Sequence, residues 1–493
     1  MLFNPLLRRF TARFAAGLLT ALSALAVSAQ ALPPEVDALL ARAKVPREAF
    51  AAVVIDAAPA LTGHAAPLLS YRAGSPMNPA SVMKLVTTYA GLELLGPAFT
   101  WATPVYVDGP IANGVLQGNL VIQGKGDPKL VMERLWLLLR RVQGLGIKSI
   151  SGDIVLDRSA FAAPAQNPGD FDGEALKPYN VVPDALLVNF KSVTMTFVPH
   201  PDSGSASVSF DPPLAGVQMQ ASVALSASGH GDKGDAALGE CGNYRAQLQP
   251  EFADPLRMAF AGSYPAACGE KVWSIAYPDP ASYAARAIAG LWHEMGGQLG
   301  GRVREGLAAA GLTPAFEIAS PTLAEVIRDI NKFSNNVMAQ QLFLTLSLQR
   351  AGVASNEASR DVVRTWWQAR FGERDLPVLD NGSGLSRLAR VTPQGLARLL
   401  QTAYVSGAMP ELMASLPITG VDGTLKRSKS QVSQGWAHLK SGTLRDATAL
   451  AGYVHTPSGR RLVVVGIINH PNAPAARPAL EALVDWAVKE GSR

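Results

Sequence analysis

Ser81 and Lys84 stand three residues apart in "NPASVMKLVTTYA" (78–90), a spacing that puts both side chains on one face of a helix. A serine hydroxyl is a poor nucleophile until a neighbour takes its proton, and a lysine kept neutral in a dry pocket can do so because burial disfavours the ammonium. In the first helical turn the Ser81 N–H also lacks an intrahelical partner and is free to point at an oxyanion. The pair alone is a weak signal. The chain has fourteen lysines, and at ordinary serine usage about one would have a serine three residues upstream by accident.

Two further motifs occur once each. Ser334-Asn335-Asn336 is the only Ser-x-Asn, inside a helical pattern that begins at Thr322; taken alone it reads equally as a solvated or capping polar cluster. Lys440-Ser441-Gly442-Thr443 is the only Lys-[Ser/Thr]-Gly and lies in a strand pattern. A glycine within a strand marks close approach by a ligand or another backbone. An edge strand here would pair with an extended peptide, with Lys440 supplying charge and the Thr443 N–H a second oxyanion donor. The competing reading is a charged edge with a bulge.

The elements that would position these residues are legible as patterns. "FAAVVIDAA" (50–58) and "APLLSYRAG" (66–74) read as a hairpin. Asn78 and Pro79 then open a helix on which Val82, Leu85, Val86, Tyr89, Leu92 and Leu95 recur, ended by Gly96-Pro97. Residues 100–277 change to short β-prone runs rich in Gly, Pro and Ser, with "LVMERLWLLLRRVQGLG" as the one clear helix. Long helical patterns return afterwards, including "TLAEVIRDINKFSNNVMAQQLFLTLSLQR" and "TPQGLARLLQTAYVSG", whose Thr392-Pro393 start is a good cap. The tail, "AHLKSGTLRDATALAGYVHTPSGRRLVVVGIINH", alternates as antiparallel strands with "TPSG" as a turn, and "PALEALVDWAVKEG" closes the chain. This order predicts an α/β (α+β) catalytic domain, 32–99 plus 278–493, interrupted by a large, mostly β insertion, 100–277, of two nested subdomains.

At 493 residues, 48% apolar and 17% charged, the chain can build several cores. It carries a net charge of +5, yet no Lys/Arg run lies beyond the N-terminus, which argues against nucleic acid as a partner and leaves weak attraction to an anionic envelope polymer. Arg8, Arg9 and Arg13 precede "FAAGLLTALSALAV" and "SAQA" follows it, so residues 1–31 read as a cleavable secretory signal. The apolar run is shorter than the ~20 residues a membrane span needs. Export sends Cys241 and Cys268 to an oxidising compartment, where one disulfide would stabilise its subdomain by roughly 3 kcal/mol. Two separate buried thiols are the alternative.

Other chemistries fail on residues. His293-Glu294 lacks a second histidine at 297, which is Gly, so a zinc peptidase motif is absent. "QGKGDP" lacks the last glycine of a dinucleotide fingerprint and any Gly-Lys-Thr/Ser. No residue pattern calls for a metal or organic cofactor.

The three motifs, in this order, resemble the Ser-x-x-Lys, Ser-x-Asn, Lys-Ser/Thr-Gly set of penicillin-binding proteins and serine β-lactamases. The long gap between Ser81 and Ser334 is similar to that of the low-molecular-mass class C D-alanyl-D-alanine carboxypeptidase/endopeptidase family (peptidase family S13). "GNLVIQGKGDPKL", "PYNVVPDALLVNF", "NGSGLSR" and "LPITGVDGTL" look like that family too. The resemblance implies a transpeptidase/serine β-lactamase-like domain, an antiparallel sheet flanked by helices. It implies Ser81 as the acylated nucleophile, Lys84 as its base, and the Ser81 and Thr443 N–H groups as the oxyanion hole. Ser334 would relay a proton to the leaving amine, Asn336 would hold the substrate amide, and Lys440 with Thr443 would receive the terminal carboxylate, with Ser441 and Gly442 of the same motif also in the substrate-binding set. "NGSGLSR" and "GVDGTL" read as loop-forming glycine motifs, with a substrate contact from Ser383 the less favoured alternative. The implied partners are peptidoglycan stem peptides and β-lactams in the periplasm, with peripheral membrane association and a homodimer left open. The rivals are a β-lactamase or esterase of the same superfold and a catalytically dead envelope-binding scaffold.

Overall fold

The computed structural model describes residues 31–58, 66–162, 167–226 and 241–492; the secretory-signal reading of 1–31 lies outside them but for Ala31. Among the described residues no helix is long and apolar enough to cross a membrane.

Five antiparallel strands form the sheet that carries the site: β1 (Phe50–Asp56), β2 (Leu69–Tyr71), β3 (Ala437–Leu444), β4 (Ala447–His455) and β5 (Arg461–Asn469), in the order β2-β1-β5-β4-β3. Side chains alternate between faces along each strand, and both faces are covered. Ala51, Val53, Val463, Val465 and Ile467 pack with Val82, Leu85, Val86 and Tyr89 of the nucleophile segment. Phe50, Ala52, Val54, Val464 and Ile468 pack against α1 (Pro34–Arg42) and the last helix, through Leu480, Leu483 and Val484. This two-sided burial makes β4 and β5 nearly unbroken apolar runs, where the sequence reading expects alternation between a buried and an open face. β3 is an edge, as its charged and glycine-containing sequence predicts.

On the first face, α2 (Lys84–Leu95) crosses α3 (Leu323–Lys332) and α4 (Asn336–Ala351). α4 is buried from Asn336 through Ser347, the central helix of this half of the molecule.

The inserted region has a core of its own. One five-stranded sheet joins 102–108, 119–123 and 154–157 with 303–305 and 316–319, and another unites 192–200, 205–211, 222–226, 264–265 and 271–276. Cys241 and Cys268 are bonded as a disulfide beside the second. The sequence texture returns to long helices at 278, whereas strand pairing keeps residues up to Ala319 with the insertion. The helix Tyr283–Glu294 buries Tyr283, Ile288 and Trp292 in the inserted core, and Phe316–Ala319 pairs with Ala102–Val105. Helical periodicity reports an apolar face, and the pairing partner decides which core receives it.

Candidate active site

Ser81 lies in a 3-10 turn, Ala80–Met83, that runs directly into α2. The turn is entered through Ala80, whose φ of +48° is unusual for a residue with a Cβ. Four contacts hold it there. Asn78 Oδ1 accepts from the Ala80 N–H at 2.9 Å, and Asn78 Nδ2 donates to the Ser386 carbonyl at 2.9 Å. The Asn78 N–H donates to Asn469 Oδ1 at 2.7 Å, while Asn469 Nδ2 donates back to the Asn78 carbonyl at 2.9 Å. Asn78 thus ties the turn to β5 and to the 381–387 loop, rather than capping α2 as its position before the helix predicts.

Lys84, the first residue of α2, is wholly buried. Its Nζ lies 3.1 Å from Ser81 Oγ, 2.6 Å from Asn336 Oδ1 and 2.6 Å from the Ser383 carbonyl. No carboxylate is among these partners. Burial, together with the nearby charge of Lys440, pushes the Lys84 ammonium well below its ordinary range. A neutral amine satisfies the same geometry: two N–H groups go to the two carbonyl-type oxygens, and the lone pair faces the Ser81 hydroxyl. Asn336 is fixed in orientation, because its Nδ2 donates to the Tyr179 carbonyl at 3.0 Å while its oxygen takes Lys84. A substrate-amide contact from Asn336 would require Nδ2 to leave Tyr179.

Ser334 occupies a break in what the sequence reads as one long helix. α3 ends at Lys332, Ser334 has φ +58°, and Asn335 caps α4 by accepting from the Met338 N–H at 3.1 Å. The capping reading of the polar cluster is realised by Asn335, while Ser334 beside it turns to Lys440. Ser334 Oγ accepts from Lys440 Nζ at 2.9 Å, and Lys440 also donates to the Ser441 carbonyl at 2.7 Å. Burial lowers the Lys440 ammonium to about 7.

The edge of β3 is set by pairing parity. Leu439 N–H donates to Pro417 and the Ala437 carbonyl accepts from Thr419, both on the side away from β4. The register continues unbroken to Leu444, so Thr443, in step with 437 and 439, also turns its N–H off the free edge. Gly442 lies against the nucleophile turn: a Cβ there would be 2.6 Å from the Pro79 oxygen and 2.9 Å from Ser81 N. The two proposed oxyanion donors are thus brought together by the absence of a side chain at 442.

The sequence profile of the D-Ala-D-Ala carboxypeptidase 3 (S13) family matches residues 32–490. The chain belongs to this family. The S13 chain is 28% identical over 469 residues to a D-alanyl-D-alanine carboxypeptidase of Actinomadura sp. strain R39, covering 91% of this chain and 83% of the relative. It is 26% identical to the D-alanyl-D-alanine carboxypeptidase DacB of Haemophilus influenzae, covering 82% of each. The crystal structure of penicillin-binding protein 4 (dacB) from Haemophilus influenzae superposes with a TM-score of 0.70 at 23% identity, covering 91% of this chain and 99% of that one. A second structure of that protein, complexed with a β-lactam, gives 0.64 at 22% identity, covering 88% of this chain and 96% of that one. The fold is that of a penicillin-binding protein with a large insertion, and the S13 chain is a serine-type peptidase.

Several residues of this S13 site are not motif residues. Ser383 acts through its backbone: its side chain is buried and bonded to Asn381 at 2.8 Å, and its carbonyl holds Lys84. The flanking glycines show why. Gly384, at φ +78°, would place a Cβ 1.9 Å from the Ala80 oxygen, so the "NGSG" loop is pressed onto the nucleophile turn. The insertion contributes the Tyr179 carbonyl and, nearby, Phe171, over which Arg387 stacks at 4.8 Å. Thr424 of "GVDGTL" meets Ser441, their hydroxyl oxygens 2.6 Å apart. The glycines of both loops were visible in the sequence; which backbone they approach was not.

Gly442→Ala is expected to leave the fold intact and to lower penicillin acylation roughly 100-fold, because the new methyl meets the backbone of residues 79–82 and must push β3 away from Ser81 by a few tenths of an ångström or more. Stopped-flow acylation with unchanged thermal melting would check this; wild-type acylation would show that the contact does not set the site.

Proposed function

We propose that the protein is an exported serine D,D-peptidase that hydrolyses D-alanyl peptide bonds of peptidoglycan stem peptides through an acyl-enzyme at Ser81, and that β-lactams acylate the same oxygen. The observation that carries this reading is Lys84: a fully buried amine 3.1 Å from Ser81 Oγ, with no carboxylate partner and two carbonyl-type oxygens for its N–H groups.

In this reading Lys84 Nζ takes the Ser81 proton as Oγ bonds the substrate carbonyl carbon. The oxyanion lies between the N–H groups of Ser81 and Thr443. Collapse breaks the C–N bond, and the proton taken up by Lys84 passes through the Ser334 hydroxyl to the leaving amine, which returns Lys84 to its neutral form. Lys440, assisted by Thr443, binds the carboxylate next to the scissile bond and holds Ser334 in place. Water then attacks the ester with Lys84 again as base, which frees Ser81 and the shortened peptide. Asn336 and the Ser383 carbonyl keep Lys84 aimed. The relatives named above and the secretory pattern of residues 1–31 support a periplasmic site of action.

Incubation of the mature protein with pentapeptide monomers and cross-linked muropeptide dimers, with products identified by mass, tests this. Release of D-alanine or of monomers is expected. Absence of both, in a protein that also takes up no labelled penicillin, would overturn the reading in favour of a scaffold.

A further inference from the structure

A cleft of about 720 Å³ opens beside the catalytic edge strand, lined by Thr424, Lys426, Arg427, Lys429, Arg477 and Glu481. Four cations face one carboxylate, and that carboxylate is already paired with Arg477 at 3.3 Å. Lys426, Arg427 and Lys429 are exposed, and among the described residues none of the three has an ion-pair partner. "KRSK" is too short to stand out in the sequence; the cluster becomes notable only because the start of the last helix brings Arg477 to it.

Its position gives it a meaning. Thr424 is 2.6 Å from Ser441, the residue after Lys440, whose Nζ is 2.9 Å from Ser334 Oγ. Resting on the proposed mechanism, in which Ser334 and Lys440 serve the leaving amine and its adjoining carboxylate, the leaving half of the substrate departs at Lys440–Ser441, on the side of the cleft. A carboxypeptidase releases a single amino acid, which ends there. A cross-link cleaved at the same bond releases a second stem peptide, which runs on for several residues of about 3.3 Å each and carries further carboxylates.

We propose that this basic cleft holds the carboxylates of the leaving stem peptide, so that cross-linked dimers are the preferred substrate. Exposed cations contribute little singly and are screened by salt; three acting on one flexible anionic strand give a measurable preference without a deep pocket.

The test is a Lys426→Gln/Arg427→Gln/Lys429→Gln variant of the full mature chain. Its kcat/KM on cross-linked dimers is expected to fall about 10-fold, while pentapeptide turnover and penicillin acylation stay within about twofold. Added sodium chloride is expected to slow dimer cleavage by the wild type and not by the variant. Equal effects on dimer and monomer, or none on either, would overturn the assignment with the catalytic reading intact. Inhibition of dimer cleavage by inorganic polyphosphate but not by a stem tripeptide with free carboxylates would overturn it in favour of a phosphate-bearing polymer. A wild type that takes up no penicillin would instead undo the catalytic reading on which the cleft assignment rests.

Discussion

A Ser81→Ala variant is expected to fold as the wild type does, to lose D-alanyl peptide turnover on the order of 10⁶-fold, and to take up no labelled penicillin. Loss of the hydroxyl removes one of three partners of Lys84 and leaves the other two, Asn336 and the Ser383 carbonyl, in place at 2.6 Å. The turn itself is held by Asn78, Asn469 and the close approach of Gly442 and Gly384, none of which involves the Ser81 side chain. An unchanged melting temperature with no acylation is the expected pair of results. Label persisting on a folded variant would show that another residue is acylated.

The second large effect belongs to Lys84. Lys84→Met is expected to lower acylation by roughly 10²- to 10⁴-fold, the range of a lost general base, and to flatten the rising limb of the pH–rate profile. In the wild type, kcat/KM is expected to rise with pH as the Lys84 ammonium, held low by burial and by Lys440, gives up its proton. It is expected to fall again as Lys440 loses its charge at about 7 in the free enzyme, since a neutral Lys440 would no longer attract the substrate carboxylate. The two amines are close enough to influence one another, so the limbs belong to the pair.

Stability supplies a readout independent of activity. In the unfolded chain Lys84 keeps its proton up to its ordinary value of 10.5, whereas in the fold it gives it up at lower pH. Within that window the unfolded state binds more protons, so folding stability gains as pH rises. Lys84→Met lacks this contribution. The stability of the wild type minus that of the variant is therefore expected to increase from neutral pH towards 10.5 in denaturant titrations. A flat difference would mean that Lys84 stays protonated in the fold and that the base is elsewhere.

Much of the site was legible because its signals are local. Ser81 and Lys84 share a face through helical spacing, Thr392 caps its helix, and "TPSG" turns β4 into β5. The Gly in Lys440-Ser441-Gly442-Thr443 announced a close backbone approach, and one is there, from residues 79–82. Less was legible where the decisive partner is distant. "TLAEVIRDINKFSNNVMAQQ" has an apolar period that runs across Ser334, yet the chain breaks at Phe333–Asn335 so that Ser334 can reach Lys440. Residues 278–319 carry a strong helix and short strands whose apolar faces fit either half of the molecule; pairing with strands laid down before residue 160 assigns them to the insertion.

By itself, then, the sequence determined the reactive residue types, their order, the helices and strands that carry them and the interruption between Ser81 and Ser334, because side-chain periodicity and turn chemistry act within a few residues. Only the tertiary structure decided that Lys84 has no counter-charge. Desolvation depends on what is packed around a group, and the two oxygens that receive its N–H groups come from 252 and 299 residues away. The same holds for the basic cleft at the edge strand: Lys426, Arg427 and Lys429 form a site with Arg477 because the last helix returns to the sheet beside them.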